Sequence, residues 1–201
     1  KQVLFFSGNQ LFFYPFGAAQ TVQPQWYKIV GLERIDAAVS WDEKTALLFT
    51  GSSYRTFDIG TGVLGADNLN WPGFPQEWNN QLDAAVRWDN QLIMFFLDNE
   101  YLVYNITEQK FVDRNNISNW QGWPQHWVNG IDDAFNAGDG FIYFLRAGEM
   151  MPFSLVNKTF LNPRQVTPLL NGQSAAQGNA NSSGLPAAGQ SNFTTPGNAN
   201  L

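Results

Sequence analysis

One short phrase recurs along the chain at a nearly constant interval, and that interval limits the possible folds more than any other property. It reads Ile35-Asp36-Ala37-Ala38-Val39, then Leu82-Asp83-Ala84-Ala85-Val86, then Ile131-Asp132-Asp133-Ala134-Phe135, in steps of 47 and 49 residues. A fixed period in this range marks a repeat architecture, in which each repeat is one supersecondary unit that buries its apolar face against its neighbours.

Two further phrases run in phase with the first. Trp71-Pro72-Gly73-Phe74-Pro75-Gln76-Glu77-Trp78 is answered by Trp120-Gln121-Gly122-Trp123-Pro124-Gln125-His126-Trp127, with a worn copy at Pro24-Gln25-Trp26. Between these lie pairs of apolar runs broken by small or polar residues. They span 5–14, 48–57 and 95–104, with a last copy from Tyr143 to Phe153 that carries one extra residue. Aromatic and β-branched runs split by Gly, Asn, Asp or Ser are hairpin signals. The small-residue phrase before each hairpin reads as a strand packed where space is tight. A fourth short run follows, as at Lys110-Phe111-Val112 and Lys158-Thr159-Phe160. The Trp-Pro-Gly phrase predicts a turn leading into one helical turn at Gln76–Asn79. Four units of about four strands each predict an all-β, four-bladed β-propeller. The blades fall at about 1–34, 35–81, 82–130 and 131–165, and an uncharged, low-complexity C-terminal tail covers 166–201.

The order of Asp-Ala-Ala, then Phe49, Gly51, Tyr54, Phe57 and Asp58, then Trp-Pro-Gly, resembles the hemopexin repeat. The resemblance covers roughly residues 1–165. It is similar to the domain of hemopexin, vitronectin, matrix metalloproteinase tails and some seed albumins. It implies a cation in the central channel, calcium or sodium, held largely by main-chain oxygens, with Asp36, Asp83 and Asp132 around the mouth. Oxygen-rich surroundings of this kind suit such ions. The alternative is that these carboxylates accept backbone N–H groups at a strand start. Two departures stand out. The first repeat lacks the Asp-Ala-Ala phrase, and there is no cysteine, whereas animal members often join first and last blades by a disulfide. Closure is therefore expected from a strand of the C-terminal region, of an upstream segment or of a neighbouring molecule.

Composition narrows the function. The net charge of −6 disfavours nucleic acid and anionic membranes as partners. No apolar run approaches the ~18 residues of a membrane span. A single His and no Cys leave no nucleophilic triad, and His126 stands where the preceding repeat has Glu77, so it reads as turn filler. Haem ligation by two imidazoles is ruled out within one chain. No cofactor is required by this reading, and an enzymatic role is not expected.

Five sequons, at Asn105, Asn116, Asn157, Asn181 and Asn192, point to a secreted glycoprotein. From Gln165 to Leu201 there is no charged residue. Such a segment buries too little surface to offset its ordering entropy unless it packs on something. Leu185, Phe193 and Leu201 are its apolar anchors. The first functional expectation is an extracellular, non-enzymatic structural or protein-interaction module, binding other proteins or copies of itself through the tail or a donated strand. The second is a propeller that binds a small ligand, cation or glycan, using an exposed subset of Trp41, Trp71, Trp78, Trp88, Trp120, Trp123 and Trp127. The third is an accessory domain of a larger secreted enzyme.

Overall fold

A computed structural model describes residues 2–15, 26–69, 71–79 and 81–166. These form four antiparallel sheets arranged as the blades of a propeller. Blade 1 contains β1 (Gln2–Ser7), β2 (Gln10–Pro15) and β3 (Trp26–Lys28). Blade 2 runs β4 (Ala37–Ser40), β5 (Thr45–Thr50), β6 (Ser53–Asp58) and β7 (Leu64–Leu69). Blade 3 runs β8 (Ala84–Arg87), β9 (Leu92–Leu97), β10 (Glu100–Asn105) and β11 (Lys110–Asn116). Blade 4 has β12 (Asp133–Asn136), β13 (Phe141–Arg146), β14 (Glu149–Ser154) and β15 (Thr159–Phe160), with β16 (Arg164–Gln165) also pairing to β14.

The small-residue phrases form β4, β8 and β12, the innermost strands of their blades, and β8 packs between the other two. Their residues face neighbouring blades alternately, because side chains along a strand point to opposite faces. Ala84 and Val86 join the apolar cluster between blades 3 and 4, while Ala85 joins the one between blades 2 and 3. The tight space on both faces favours small side chains, which accounts for the alanines.

Each pair of blades meets at one apolar cluster, and the four clusters are unequal. Among the described residues, thirteen buried side chains join blades 3 and 4 and twelve join blades 2 and 3. Five join blade 4 to blade 1, and five join blade 1 to blade 2. The two thick interfaces are those that receive a tryptophan crossover. Trp71 and Trp78 sit between blades 2 and 3. Trp120, Trp123 and Trp127 sit between blades 3 and 4. The helical turn expected at Gln76–Asn79 is a 3-10 turn over Gln76–Trp78, repeated at Gln125–Trp127. It aims Trp78 and Trp127 inward, and each is only 1% exposed. Burial of one such side chain contributes roughly 3 kcal/mol.

Trp26 departs from the expected pattern. It opens the outer strand β3 instead of lying in a crossover. The link from Lys28 to Ile35 is short and is tied to the β1–β2 turn by Ile29 N–H to Asn9 O (2.8 Å) and Ile35 N–H to Gly8 O (2.8 Å). That leaves no length for a tryptophan turn.

Candidate functional site

The site is the mouth of the central channel, and it is best built from the hairpins around it. The first central residue of each inner hairpin turn has a left-handed backbone: Gly8 (φ 59°), Gly51 (φ 58°), Asp98 (φ 50°) and Ala147 (φ 49°). Glycine takes this conformation freely, whereas a side chain makes it costly. The inner-strand aspartates hold three of these turns. Asp36 Oδ2 accepts the Gly51 N–H, Asp83 Oδ2 accepts the Asp98 N–H and Asp132 Oδ2 accepts the Ala147 N–H, each at 2.6 Å. The aspartate precedes its turn residue by 15 positions in every case. These carboxylates therefore stand around the mouth, each already committed to its own blade. Asp36 also pairs with Arg34 at 2.7 Å.

As inner ligands for a cation they fit poorly. One oxygen of each is spent on a turn, and no three acidic, His or Cys side chains gather into a metal-holding group among the described residues. What they supply is a negative field. Burial lifts the Asp83 carboxyl above its ordinary range, and repulsion from Asp98 and Asp132 adds to the lift against the Asp98 hydrogen bond.

A fourth carboxylate lies beside them. Asp133 occupies the position taken by Ala37 and Ala84 in the other blades and is half-buried. Desolvation pushes it up to about 6, and Asp132 adds to the shift, although its Oδ1 accepts the Ala134 N–H at 2.7 Å. At the opposite end of the inner strands the contacts run between blades. Arg87 donates to Trp41 O, and Asn136 Nδ2 donates to Arg87 O at 3.0 Å and Trp88 O at 3.3 Å.

The channel holds a cavity of about 200 Å³. Its walls come from β4, β8 and β12 and, on the fourth side, from Val3, Leu4, Phe5 and Phe6 of β1. Blade 1 has no innermost strand among the described residues, so β1 pairs with β2 alone. The sequence signal for this feature is the missing Asp-Ala-Ala phrase.

The repeated tryptophans are committed to packing. Trp71 and Trp78 are buried, as is Trp127, while Trp41, Trp88, Trp120 and Trp123 are half-buried. Trp41 meets Trp71 at 6.0 Å, Trp88 meets Phe153 at 5.3 Å, and Trp120 stacks on Phe160 at 5.8 Å. His126 is exposed and bonds Glu149 Oε2 at 3.0 Å, beside the Trp127 Nε1 donor at 3.1 Å.

Of the sequons, Asn157 is exposed in the turn after β14. Asn105 Oδ1 accepts the N–H groups of Thr107 and Glu108, and Asn116 Oδ1 accepts that of Ser118. Asn181, Asn192 and the anchors Leu185, Phe193 and Leu201 lie outside the described residues.

Known proteins bear on this architecture in two ways. The Hemopexin family matches residues 82–125, the third blade and the crossover after it. No curated protein matches the chain by sequence. Solved structures are similar over most of its length. A 2S albumin seed protein from Dolichos superposes with a TM-score of 0.67 at 18% identity, covering 85% of this chain and 92% of that one. A hemopexin fold protein from cow pea gives 0.66 at 20% identity, covering 87% and 93%. A plant lectin with two metal binding sites from Cicer arietinum gives 0.68 at 14% identity, covering 87% and 93%. At these identities the likeness is one of fold.

Proposed function

From the premise that this chain is a four-bladed β-propeller of hemopexin-like repeats, we propose that it is an extracellular, non-enzymatic binding module. The observation that carries this reading is the use made of the recurring residues. The repeated aspartates hold hairpin turns and the repeated tryptophans fill the seams between blades. The chemistry common to the repeats thus serves a rigid scaffold, and specificity falls to the loops and outer strands that differ between blades. The partners are other proteins, copies of this chain, or glycans. The name of one similar structure, a plant lectin with two metal binding sites, supports binding as the role. The acidic balance favours partners that present positive charge.

Secretion and N-glycosylation belong to the same reading, with Asn157 the most accessible sequon among the described residues. A channel cation held by main-chain oxygens, with Asp36, Asp83 and Asp132 supplying the field, is its metal component. Attachment to a larger secreted enzyme as an accessory domain would use the same surfaces.

Three measurements on the full chain test the proposal: sedimentation velocity over a hundredfold concentration range, binding to an immobilised glycan panel, and binding to a basic protein standard. Saturable glycan binding or concentration-dependent association supports it. A strict monomer that binds no glycan and no basic protein standard overturns it.

A further inference from the structure

The two tryptophan crossovers are built alike but end differently at the surface. Trp78 and Trp127 stand 49 residues apart, as do Glu100 and Glu149, and Glu77 and His126. Glu100 opens β10 opposite Leu97 and Asn116, and Glu149 opens β14 opposite Arg146 and Gln165. Each tryptophan closes its 3-10 turn and is 1% exposed. Blade 4 is therefore an internal reference for blade 3.

In blade 4 the carboxylate turns inward. Glu149 Oε2 accepts the Trp127 Nε1–H at 3.1 Å and pairs with His126 Nε2 at 3.0 Å, while Oε1 accepts from Gln165 Nε2 at 3.2 Å. In blade 3 the matching carboxylate turns outward. Arg114, whose counterpart 49 residues on is Pro163, donates to Glu100 Oε2 at 2.9 Å and to Glu77 Oε1 at 2.7 Å. Its guanidinium lies 5.8 Å from the centre of the Trp78 ring. The Trp78 Nε1–H is left without an acceptor among the described residues.

Opposing terms set the two positions against each other. The side chains of Glu77, Glu100 and Arg114 are 59%, 39% and 42% exposed, and ion pairs this open to water contribute little and weaken with salt. A buried N–H without an acceptor is costly, and a hydrogen bond from it to a charged group is a strong one. The inward position asks for no deep burial of charge, since Glu149 keeps 26% of its side chain exposed there. We propose that Glu100 is a two-position latch, held outward by Arg114 and moving onto Trp78 Nε1 when that ion pair is screened or removed. Loss of Arg114 also leaves Glu77 and Glu100 to repel each other, which favours the same move. The charge state of the rim is thereby passed to the seam between blades 2 and 3, in which Trp78 is packed. The proposal is independent of what the module binds.

The test reads the indole protons in assigned proton–nitrogen correlation spectra of the full chain, with Trp127 as the reference for a bonded indole. R114M is compared with R114M/E100A. Both lack the guanidinium over the ring, so their difference reports Glu100 alone. In R114M the Trp78 Nε1–H is expected downfield of its position in the double variant, and to exchange with solvent about tenfold or more slowly. Identical Trp78 signals in the two variants overturn the proposal. Salt provides a second reading on the unmodified chain. At about 1 M, where the Debye length falls to about 3 Å, the Trp78 signal is expected to move downfield in the parent and to stay in place in E100A. A parent signal that does not move, or one that moves equally in E100A, likewise overturns it.

Discussion

Replacing Asp133 by alanine is expected to stabilise this protein at neutral pH, and the size of the effect follows from its surroundings. The residue occupies an alanine slot of the repeat, where Ala37 and Ala84 are buried without cost. Its carboxyl is raised from 3.8 to about 6, mainly by desolvation. A group whose folded pKa is raised favours the folded state below its unfolded pKa, and that contribution is lost as pH climbs through the folded value. Relative to acid conditions, ionised Asp133 therefore costs roughly 3 kcal/mol above about pH 6. Removing it also removes the acceptor of the Ala134 N–H, worth about 1 kcal/mol. The net gain for D133A is about 2 kcal/mol near neutrality, or roughly 4–8 °C in Tm for a domain of this size. Near pH 4 the folded-state carboxyl is neutral and the unfolded one about half ionised, so the charge penalty shrinks to about 0.5 kcal/mol, less than the lost hydrogen bond, and the gain should vanish or slightly reverse. D133N keeps the shape without the charge and should recover most of the neutral-pH gain. Urea melts of the three proteins across this pH range provide the measurement. A D133A protein no more stable than the parent near neutrality, or a gap that stays constant down to about pH 4, would refute the reasoning.

Three other perturbations test the turns. A147G relieves a left-handed alanine (φ 49°) and should add about 1 kcal/mol of stability by thermal melting. D36A removes the acceptor of the Gly51 N–H and should cost about 1–2 kcal/mol, a loss that should persist when calcium is added if the carboxylate serves the turn alone. G130A places a Cβ 1.9 Å from Asp98 O on a backbone with φ of 102°. It should cost at least ~3 kcal/mol or abolish folding, read by denaturant titration.

The blade architecture was legible because the repeat writes the same local physics several times. The Asp-Ala-Ala-Val phrase marked β4, β8 and β12, and the split aromatic runs marked the hairpins beside them. The role of Asp36, Asp83 and Asp132 was harder to read. An aspartate recurring at a strand start suits a channel ion and a backbone cap equally well in one dimension. The constant offset of 15 residues to a left-handed turn position identifies the backbone cap, and it becomes visible only when the hairpins are aligned. Trp26 misled because a Pro-Gln-Trp fragment carries no record of the length of the link after it, and that length decides whether a tryptophan can reach a seam. Asp133 was visible as a break in its own repeat. Its meaning depends on desolvation, which no spacing reports.

The unequal seams between blades divide the ring mechanically. Among the described residues, blades 2, 3 and 4 are joined through clusters of twelve and thirteen buried side chains, whereas blade 1 is held on each flank by five. In a repeat array, stability is the sum of unit terms and neighbour couplings, so the weakly coupled unit is the first to detach. Heat, denaturant or a stretching force should peel blade 1 away as a hinged leaf while the other three remain a cooperative block. Protein synthesis meets the same asymmetry in reverse. Blade 1 is made before the other three blades but gains its second flank only after blade 4 has been made, so ring closure waits on the fourth blade.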